Sequence, residues 1–98
     1  MMVLQALSQE PRHGYALAQH IKRTSNDLLQ VEEGSLYPAL QRMLRASWVK
    51  ARWDTSASGR RVRVYAITPA GRTRLEREVS RFEQMLEGIR LVLAPVKS

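Results

Sequence analysis

Residues 48–71 read WVKARWDTSASGRRVRVYAITPAG. This pattern predicts a hairpin that is followed directly by a helix. Residues 48–53 alternate loosely and predict a strand, and residues 60–68 alternate with a period of two and predict its partner. The small polar residues 54–59 between them predict a turn. Thr68 and Pro69 then supply a hydroxyl N-cap and a proline at the first helical position. The stretch therefore predicts a β-hairpin with arginines at its tip, followed by a helix.

The helix that begins at Pro69 is expected to run to about Leu93, since Pro95 stops it. Its apolar residues are spaced alternately by four and three positions, namely Leu75, Val79, Phe82, Leu86, Ile89 and Leu93. This is the heptad pattern of a helix that packs along a second helix. A helix that serves only its own domain usually shows a broader stripe. We therefore expect a dimer seam, with packing inside one chain as the alternative.

Three shorter helices precede the hairpin, over residues 1–9, 13–23 and 34–46. A polar turn at 24–27 ends the second, and an apolar link at 28–31 follows. In the third, Leu36, Leu40, Met43 and Leu44 form one apolar stripe. Pro38 lies inside this helix and is expected in its first turn or at a kink, because proline lacks the N–H of a helix interior.

This order of elements predicts a mainly α fold with a small β-hairpin, a winged helix-turn-helix plus a long C-terminal helix. Residues 1–68 would form the DNA-binding part and residues 69–98 the dimerisation helix, in one unit. In such folds the second helix of the helix-turn-helix, here 34–46, enters the major groove. The hairpin would be the wing, whose arginines suit the negative potential of a narrow minor groove.

The positive charge is segregated in the sequence. The chain has 98 residues and a net charge of +7. Residues 34–75 contain nine basic residues and one acid, and therefore carry +8, while the remainder carries −1. Scattered surface charge would not divide in this way, so we expect one face that meets phosphates. Double-stranded DNA is the predicted partner.

Other classes of protein fit the composition poorly. The chain has no cysteine, which excludes disulfides and thiolate metal sites. It has no apolar run long enough for a spanning helix and no basic leader, so we expect a cytoplasmic protein without membrane contact. No catalytic constellation or phosphate loop stands out, so we expect no enzyme and no cofactor. His13 and His20 have no third ligand nearby and are interpreted as surface or capping residues, not as a metal site.

Three stretches, in this order and spacing, resemble the short form of the PadR family of bacterial transcriptional regulators. They are PRHGYALAQHI at 11–21, VEEGSLYPALQRML at 31–44 and RRVRVYAITPAGRTRL at 60–75. The run Gly-Ser-Leu-Tyr-Pro-Ala-Leu is the most specific of the signatures. The resemblance implies a dimeric repressor that binds a pseudo-palindromic operator, with helix 34–46 as the recognition helix. It also implies a dimer interface made by the last helix together with the first. Ser47 departs from the family, which usually has a glycine there for a left-handed helix end.

The pattern and the resemblance together predict two sets of residues. The residues expected to contact DNA are Tyr15, Ser35, Tyr37, Pro38, Gln41, Arg42, Lys50, Arg60, Arg61 and Arg63. Those expected at the dimer interface are Leu4, Leu75, Val79, Phe82, Leu86, Ile89 and Leu93.

Several of these residues have a second interpretation. Arg42 and the wing arginines could be solvated surface residues, and Tyr37 could be a core residue beneath the recognition helix. Lys50 and Arg52 are expected to add to the positive field of the wing.

Two other functions compete with an operator-binding repressor. The first is a regulator whose small-molecule effector releases DNA; here Trp48 and Trp53 could line the pocket instead of forming core under the wing. The second is a protein-interaction module that uses the long helix and shows no salt-dependent affinity for DNA.

Overall fold

The computed structural model describes residues 1–25 and 33–95, apart from the side chain of Glu33. Four helices and a small sheet follow one another as α1 Met2–Gln9, β1 Arg12–His13, α2 Gly14–Thr24, α3 Glu33–Arg45, β2 Val49–Thr55, β3 Arg61–Ile67 and α4 Pro69–Leu93. The predicted order of elements is confirmed. The predicted turn at 24–27 and the link at 28–31 lie almost wholly outside the described residues.

The sheet has one strand more than the sequence predicted. β3 is the central strand and pairs antiparallel with both β1 and β2. A strand of two residues such as β1 has no alternation to detect, so it could not be predicted from the sequence. The hairpin strands are also shifted, since β2 ends two residues later than predicted and β3 begins one residue later, which leaves a turn at 56–60.

The core lies where the three short helices, the base of the hairpin and the first turns of α4 meet. Its buried residues are Leu4, Ala6, Leu7, Leu17, Ala18, Ile21, Leu36, Leu40, Val49, Tyr65 and Leu75. The predicted stripe of α3 is confirmed, because Leu36 and Leu40 are fully buried and Met43 and Leu44 pack against them. Burial of Leu4 and Leu75 in this core removes both from the surface, which corrects their assignment to a dimer interface.

Helix α3 ends in a left-handed residue even though that residue is not glycine. Ser47 has φ +63°. Its N–H donates to the carbonyl of Leu44 at 3.0 Å, and the N–H of Trp48 donates to the carbonyl of Met43 at 2.9 Å. This pair of bonds is a Schellman motif. Serine therefore adopts the left-handed conformation that usually takes glycine, and carries the steric cost of its Cβ.

The start of α4 is bonded to this same turn. The hydroxyl of Thr68 accepts a bond from the N–H of Gly71 at 3.0 Å, which confirms the predicted cap, and donates to the carbonyl of Ser47 at 2.6 Å. The N–H of Thr68 donates to the carbonyl of Trp48 at 3.0 Å. The exit of α3 and the entrance of α4 are therefore one hydrogen-bonded unit.

Pro38 occupies the sixth position of α3, in its second turn and not its first. The carbonyl of Gly34 therefore lacks its usual partner four residues later. The cost of this lost bond falls at the exposed start of the helix, where Gly34, Ser35 and Pro38 all face outward.

Candidate nucleic-acid interface

The wing and the first turns of α2 and α3 enclose a groove of about 420 Å³. It is lined by His13, Gly14, Tyr15, Tyr37, Ser56, Ser58, Arg60, Arg61, Val62, Arg63 and Tyr65. Five of the residues predicted to contact DNA lie here together: Tyr15, Tyr37 and the three arginines of the wing. They come from three elements that are far apart in the sequence, so the fold, not the local sequence, builds this surface.

A contact between two of the motifs fixes one wall of the groove. The ring of Tyr37 packs on the backbone of Gly14, so closely that a Cβ on Gly14 would lie 2.7 Å from the hydroxyl oxygen. A residue larger than glycine at the start of α2 would therefore displace the ring of Tyr37. Tyr37 itself is 42% exposed, which is inconsistent with a core residue beneath α3 and leaves its ring at the surface.

His13 caps α2 at the floor of the groove. Its Nδ1 accepts the N–H of Ala16 at 3.3 Å, and its backbone is extended. This confirms the interpretation of His13 as a capping residue. Tyr15 follows in the first turn and is exposed. The positive end of the α2 dipole is thus directed toward the groove.

Two of the three arginines of the wing lie over an aromatic ring. The guanidinium of Arg61 lies 4.8 Å from the centroid of Trp53, and that of Arg63 lies 5.9 Å from the centroid of Tyr65. The Nε of Arg63 is buried and has no hydrogen-bond partner among the residues that the structure describes. A buried charged donor without a partner is an energetic cost in the free protein.

The acid of the wing does not neutralise these arginines. Asp54 accepts the N–H of Thr55 at 2.8 Å and the guanidinium of Arg52 at 3.0 Å. These two hydrogen bonds, with the charge of Arg52, hold the pKa of Asp54 below its usual value. Asp54 is therefore an ionised carboxylate already engaged by its neighbour.

Lys50 and Arg52 lie on the opposite face of the hairpin from the groove. Lys50 pairs with Ala66 and Arg52 with Val64, whereas Trp53 pairs with Arg63. Paired residues share a face and successive residues alternate. Neither Lys50 nor Arg52 therefore lines the groove, and their expected addition to the positive field of the wing stays a prediction.

The outer face of α3 continues from the groove. Ser35, Pro38, Gln41 and Arg42 are all exposed on it, opposite the buried leucines. The face presents a hydroxyl, an amide and a guanidinium, which together can donate and accept hydrogen bonds. The exposure of these residues on one face was predicted from the sequence, because the helical period fixes which residues share a face.

The two tryptophans occupy different environments. Trp48 packs against the core, and the guanidinium of Arg74 lies 4.8 Å from the centroid of its ring. Trp53 is 59% exposed, which corrects its interpretation as a core residue.

A second, apolar groove of about 480 Å³ lies between α1, the end of α2 and α4. It is lined by Met1, Met2, Gln5, Ala6, Gln9, His20, Ile21, Thr24, Ser25, Val79, Phe82, Glu83 and Leu86. Neither tryptophan reaches it. Beyond it, α4 exposes Met85, Ile89, Leu91, Val92 and Leu93. Of the predicted interface residues, Val79, Phe82, Leu86, Ile89 and Leu93 thus remain at the surface, Val79 and Leu86 partly covered.

Three helices, a β-wing and a basic groove between them define the winged helix-turn-helix class. The family model of PadR-like transcriptional regulators matches residues 3–77. This chain belongs to the PadR-like family of transcriptional regulators. In the described part of the chain, no helix is long and apolar enough to cross a membrane.

Solved structures share the fold over most of the chain. A transcriptional regulator from Clostridium thermocellum is 22% identical with a TM-score of 0.86, and the match covers 94% of this chain and 89% of that one. A PadR-like regulator from Bacillus cereus is 26% identical with a TM-score of 0.81, covering 96% and 89%. PadR of Bacillus subtilis, solved in complex with operator DNA, is 17% identical with a TM-score of 0.71, covering 80% and 43%.

Proposed function

We propose that this regulator is a homodimeric repressor that binds duplex DNA at a pseudo-palindromic operator. The observation that carries the proposal is the groove in which Arg60, Arg61 and Arg63 meet Tyr15 and Tyr37. Phosphate oxygens would accept hydrogen bonds from the guanidinium groups of this surface. A PadR protein that shares this fold was solved in complex with operator DNA, which supports DNA as the partner.

The exposed face of α3 would lie in the major groove of DNA. Gln41 and Arg42 have the side chains that pair with adenine and guanine edges. Because most protein–DNA hydrogen bonds go to the backbone, Ser35 and Tyr37 at the start of the helix would hold phosphates and fix its register. Pro38 would pack against the sugar edge. Lys50 would contribute through its longer-range field alone.

The wing would contribute most of the salt-dependent affinity. Each arginine that neutralises a phosphate releases counterions, so the logarithm of affinity falls by about 0.9 per contact for each decade of salt. Arg61 and Arg63 are expected to supply two such contacts, and binding should weaken steeply as salt rises.

The dimer would form through the exposed part of α4. The radius of gyration is 16.5 Å, against about 13 Å for a compact chain of this length, because α4 projects beyond the core. Its projecting end exposes Phe82, Ile89 and Leu93 on one seam. Covering this seam with a second copy would also close the apolar groove beside α1. Two recognition helices about 34 Å apart would then face successive turns of DNA.

The DNA experiment compares the upstream region of this protein's own gene with random duplex, by fluorescence anisotropy over a series of salt concentrations. We expect preference for the upstream DNA and a steep salt slope. Arg61→Ala with Arg63→Ala should weaken binding to both duplexes and reduce the slope by about two. Arg77→Ala with Arg81→Ala removes the same charge from α4 outside the groove and should change the slope little. Equal binding of the two duplexes at moderate salt would refute the operator.

The dimer experiment uses light scattering on Phe82→Lys, which places a charge in the seam and should give a folded monomer. Ser80→Lys adds the same charge on an exposed position beside the seam and should remain dimeric. A Phe82→Lys protein that stays a dimer would refute the interface.

The apolar groove supports one alternative, a regulator whose small-molecule effector releases DNA. Its volume lies in the range of ligand sites. Flat hydrophobic compounds should then raise the melting temperature and lower DNA affinity together. Compounds that raise the melting temperature without affecting DNA binding would argue against an effector.

A further inference from the structure

The wing carries an exposed tryptophan, Trp53, near its basic tip. Trp53 is 59% exposed although it is one of the largest apolar side chains. Trp48, by contrast, packs against the core. The exposed ring stands in the wing, on the same sheet face as Arg61 and Arg63.

The contact between Trp53 and Arg61 has a geometry that suits DNA binding. The guanidinium lies 4.8 Å from the ring centroid, within the range of a cation–π interaction. A cation–π contact involves no hydrogen-bond acceptor, and the guanidinium carries five N–H donors. The stack therefore restricts the rotation of a long side chain without using the donors that would reach a phosphate.

The acid nearest to Arg61 in the wing, Asp54, is bonded to other groups. Asp54 is engaged by Arg52 and by the N–H of Thr55. No ion pair to Arg61 is present among the described residues. Arg61 is thus ordered by an aromatic ring, not by an anion that DNA would have to displace.

We propose that Trp53 is a positioning residue for DNA binding: its ring holds the guanidinium of Arg61 in place to bind a backbone phosphate beside the wing. This inference rests on the proposed function. Because Arg61 is ordered before it binds, less side-chain entropy is lost on contact. The other role open to Trp53 is a purely structural one, in which its contact with Arg61 across the strands stabilises the hairpin.

A double-mutant cycle separates the two roles. The four proteins are wild type, Trp53→Val, Arg61→Ala and the double variant, assayed by anisotropy on one duplex. Valine keeps a residue that favours strands. If Trp53 acts through Arg61, Trp53→Val should weaken binding about three- to tenfold and reduce the salt slope, and the double variant should bind like Arg61→Ala alone. Trp53→Phe keeps a ring and should retain most of the affinity.

Arg74→Ala provides a matched control, because Arg74 stacks on Trp48 at the same 4.8 Å but outside the groove. It should lower the melting temperature while leaving the salt slope unchanged. A second measurement uses the emission of Trp53, obtained as wild type minus Trp53→Phe. This emission should change when duplex is added, and in the free protein it should change on Arg61→Ala.

The outcomes distinguish a failure of the proposed DNA-binding function from a failure of the positioning role of Trp53. Wild-type protein without salt-dependent DNA binding would overturn the proposed function. Wild-type binding with additive losses in the cycle, or with unchanged affinity of Trp53→Val, would overturn only the positioning role. If Trp53→Val greatly lowers the melting temperature, the positioning role is tested by the DNA affinity of Trp53→Phe and by the emission change instead. An emission that DNA leaves unaltered would then refute the inference.

Discussion

Gly71 provides the sharpest test of how the long helix is joined to the DNA-binding part. A Cβ at this position would overlap the carbonyl oxygen of Trp48, and it would lie 2.9 Å from the carbonyl carbon and 2.8 Å from the Cγ1 of Ile67. Ordinary contacts between carbon atoms are about 3.5–4.0 Å. From the carbonyl carbon of Trp48 alone, Gly71→Ala therefore requires α4 and the exit of α3 to separate by about 0.6 Å or more.

The group that a Cβ would overlap is the backbone carbonyl of Trp48, which cannot rotate away as a side chain can. Overpacking of this kind costs about 1–3 kcal/mol. The bonds from Thr68 to the carbonyls of Ser47 and Trp48 cross the same gap, and their weakening adds about 1 kcal/mol each. Alanine recovers about 0.4–1 kcal/mol through the unfolded chain. The net loss is about 2–4 kcal/mol, which at this size lowers the melting temperature by about 10–20 °C.

Gly88→Ala, in the same helix, is the matched control. Nothing lies within 4 Å of a Cβ at Gly88, so alanine should stabilise the helix by about 0.5–1 kcal/mol. Both variants are unfolded by heat and by urea under circular dichroism, at one protein concentration because dimer stability depends on concentration. A Gly71→Ala protein as stable as wild type would refute the close approach of the two segments.

Three further changes test the site and its supports. Gly14→Ala should displace the ring of Tyr37 and lower DNA affinity about two- to tenfold in anisotropy with little change in melting temperature, because the clash is with a side chain; unchanged affinity would remove Tyr37 from the interface. Asp54→Asn should tighten binding to random duplex and steepen its salt slope, since it removes a carboxylate. The lowered pKa keeps Asp54 ionised throughout pH 6–8, so the difference from wild type should be constant there, and a difference that varies with pH would contradict this. Ser47→Gly should raise stability to urea by about 0.5–1 kcal/mol by relieving its positive φ, and a loss of stability would contradict the left-handed helix end.

The sequence was most informative where a residue's role is local. The stripe of Leu36 and Leu40 follows from the helical period, and the cap at Thr68 follows from a hydroxyl placed before Pro69. Neither depends on distant segments. Side-chain type and spacing are sufficient there, because the physical cause lies within one or two turns of the chain.

The sequence was least informative about which face of the hairpin is covered. Strand alternation places Trp53, Arg63 and Tyr65 on one face, but it does not say where the core beneath that face ends. Tyr65 is 3% exposed and Trp53 is 59% exposed, so the edge of the core falls between them. That edge is set by how far α2 and α3 extend under the sheet. The same limit explains why the groove, which three elements build together, could be predicted only as separate residues.

The long helix shows the same division along its own length. Its heptad spacing continues without a break from Leu75 to Leu93, yet Leu75 is buried in the core while Phe82 and Leu93 are exposed. One helix therefore serves both the DNA-binding core and the surface proposed to meet a second chain. Since its first residues are bonded to the exit of α3, no flexible linker intervenes between the two. In the proposed dimer, the separation of the two recognition helices would then be fixed by a continuous rigid element, and with it the spacing of half-sites that the protein accepts.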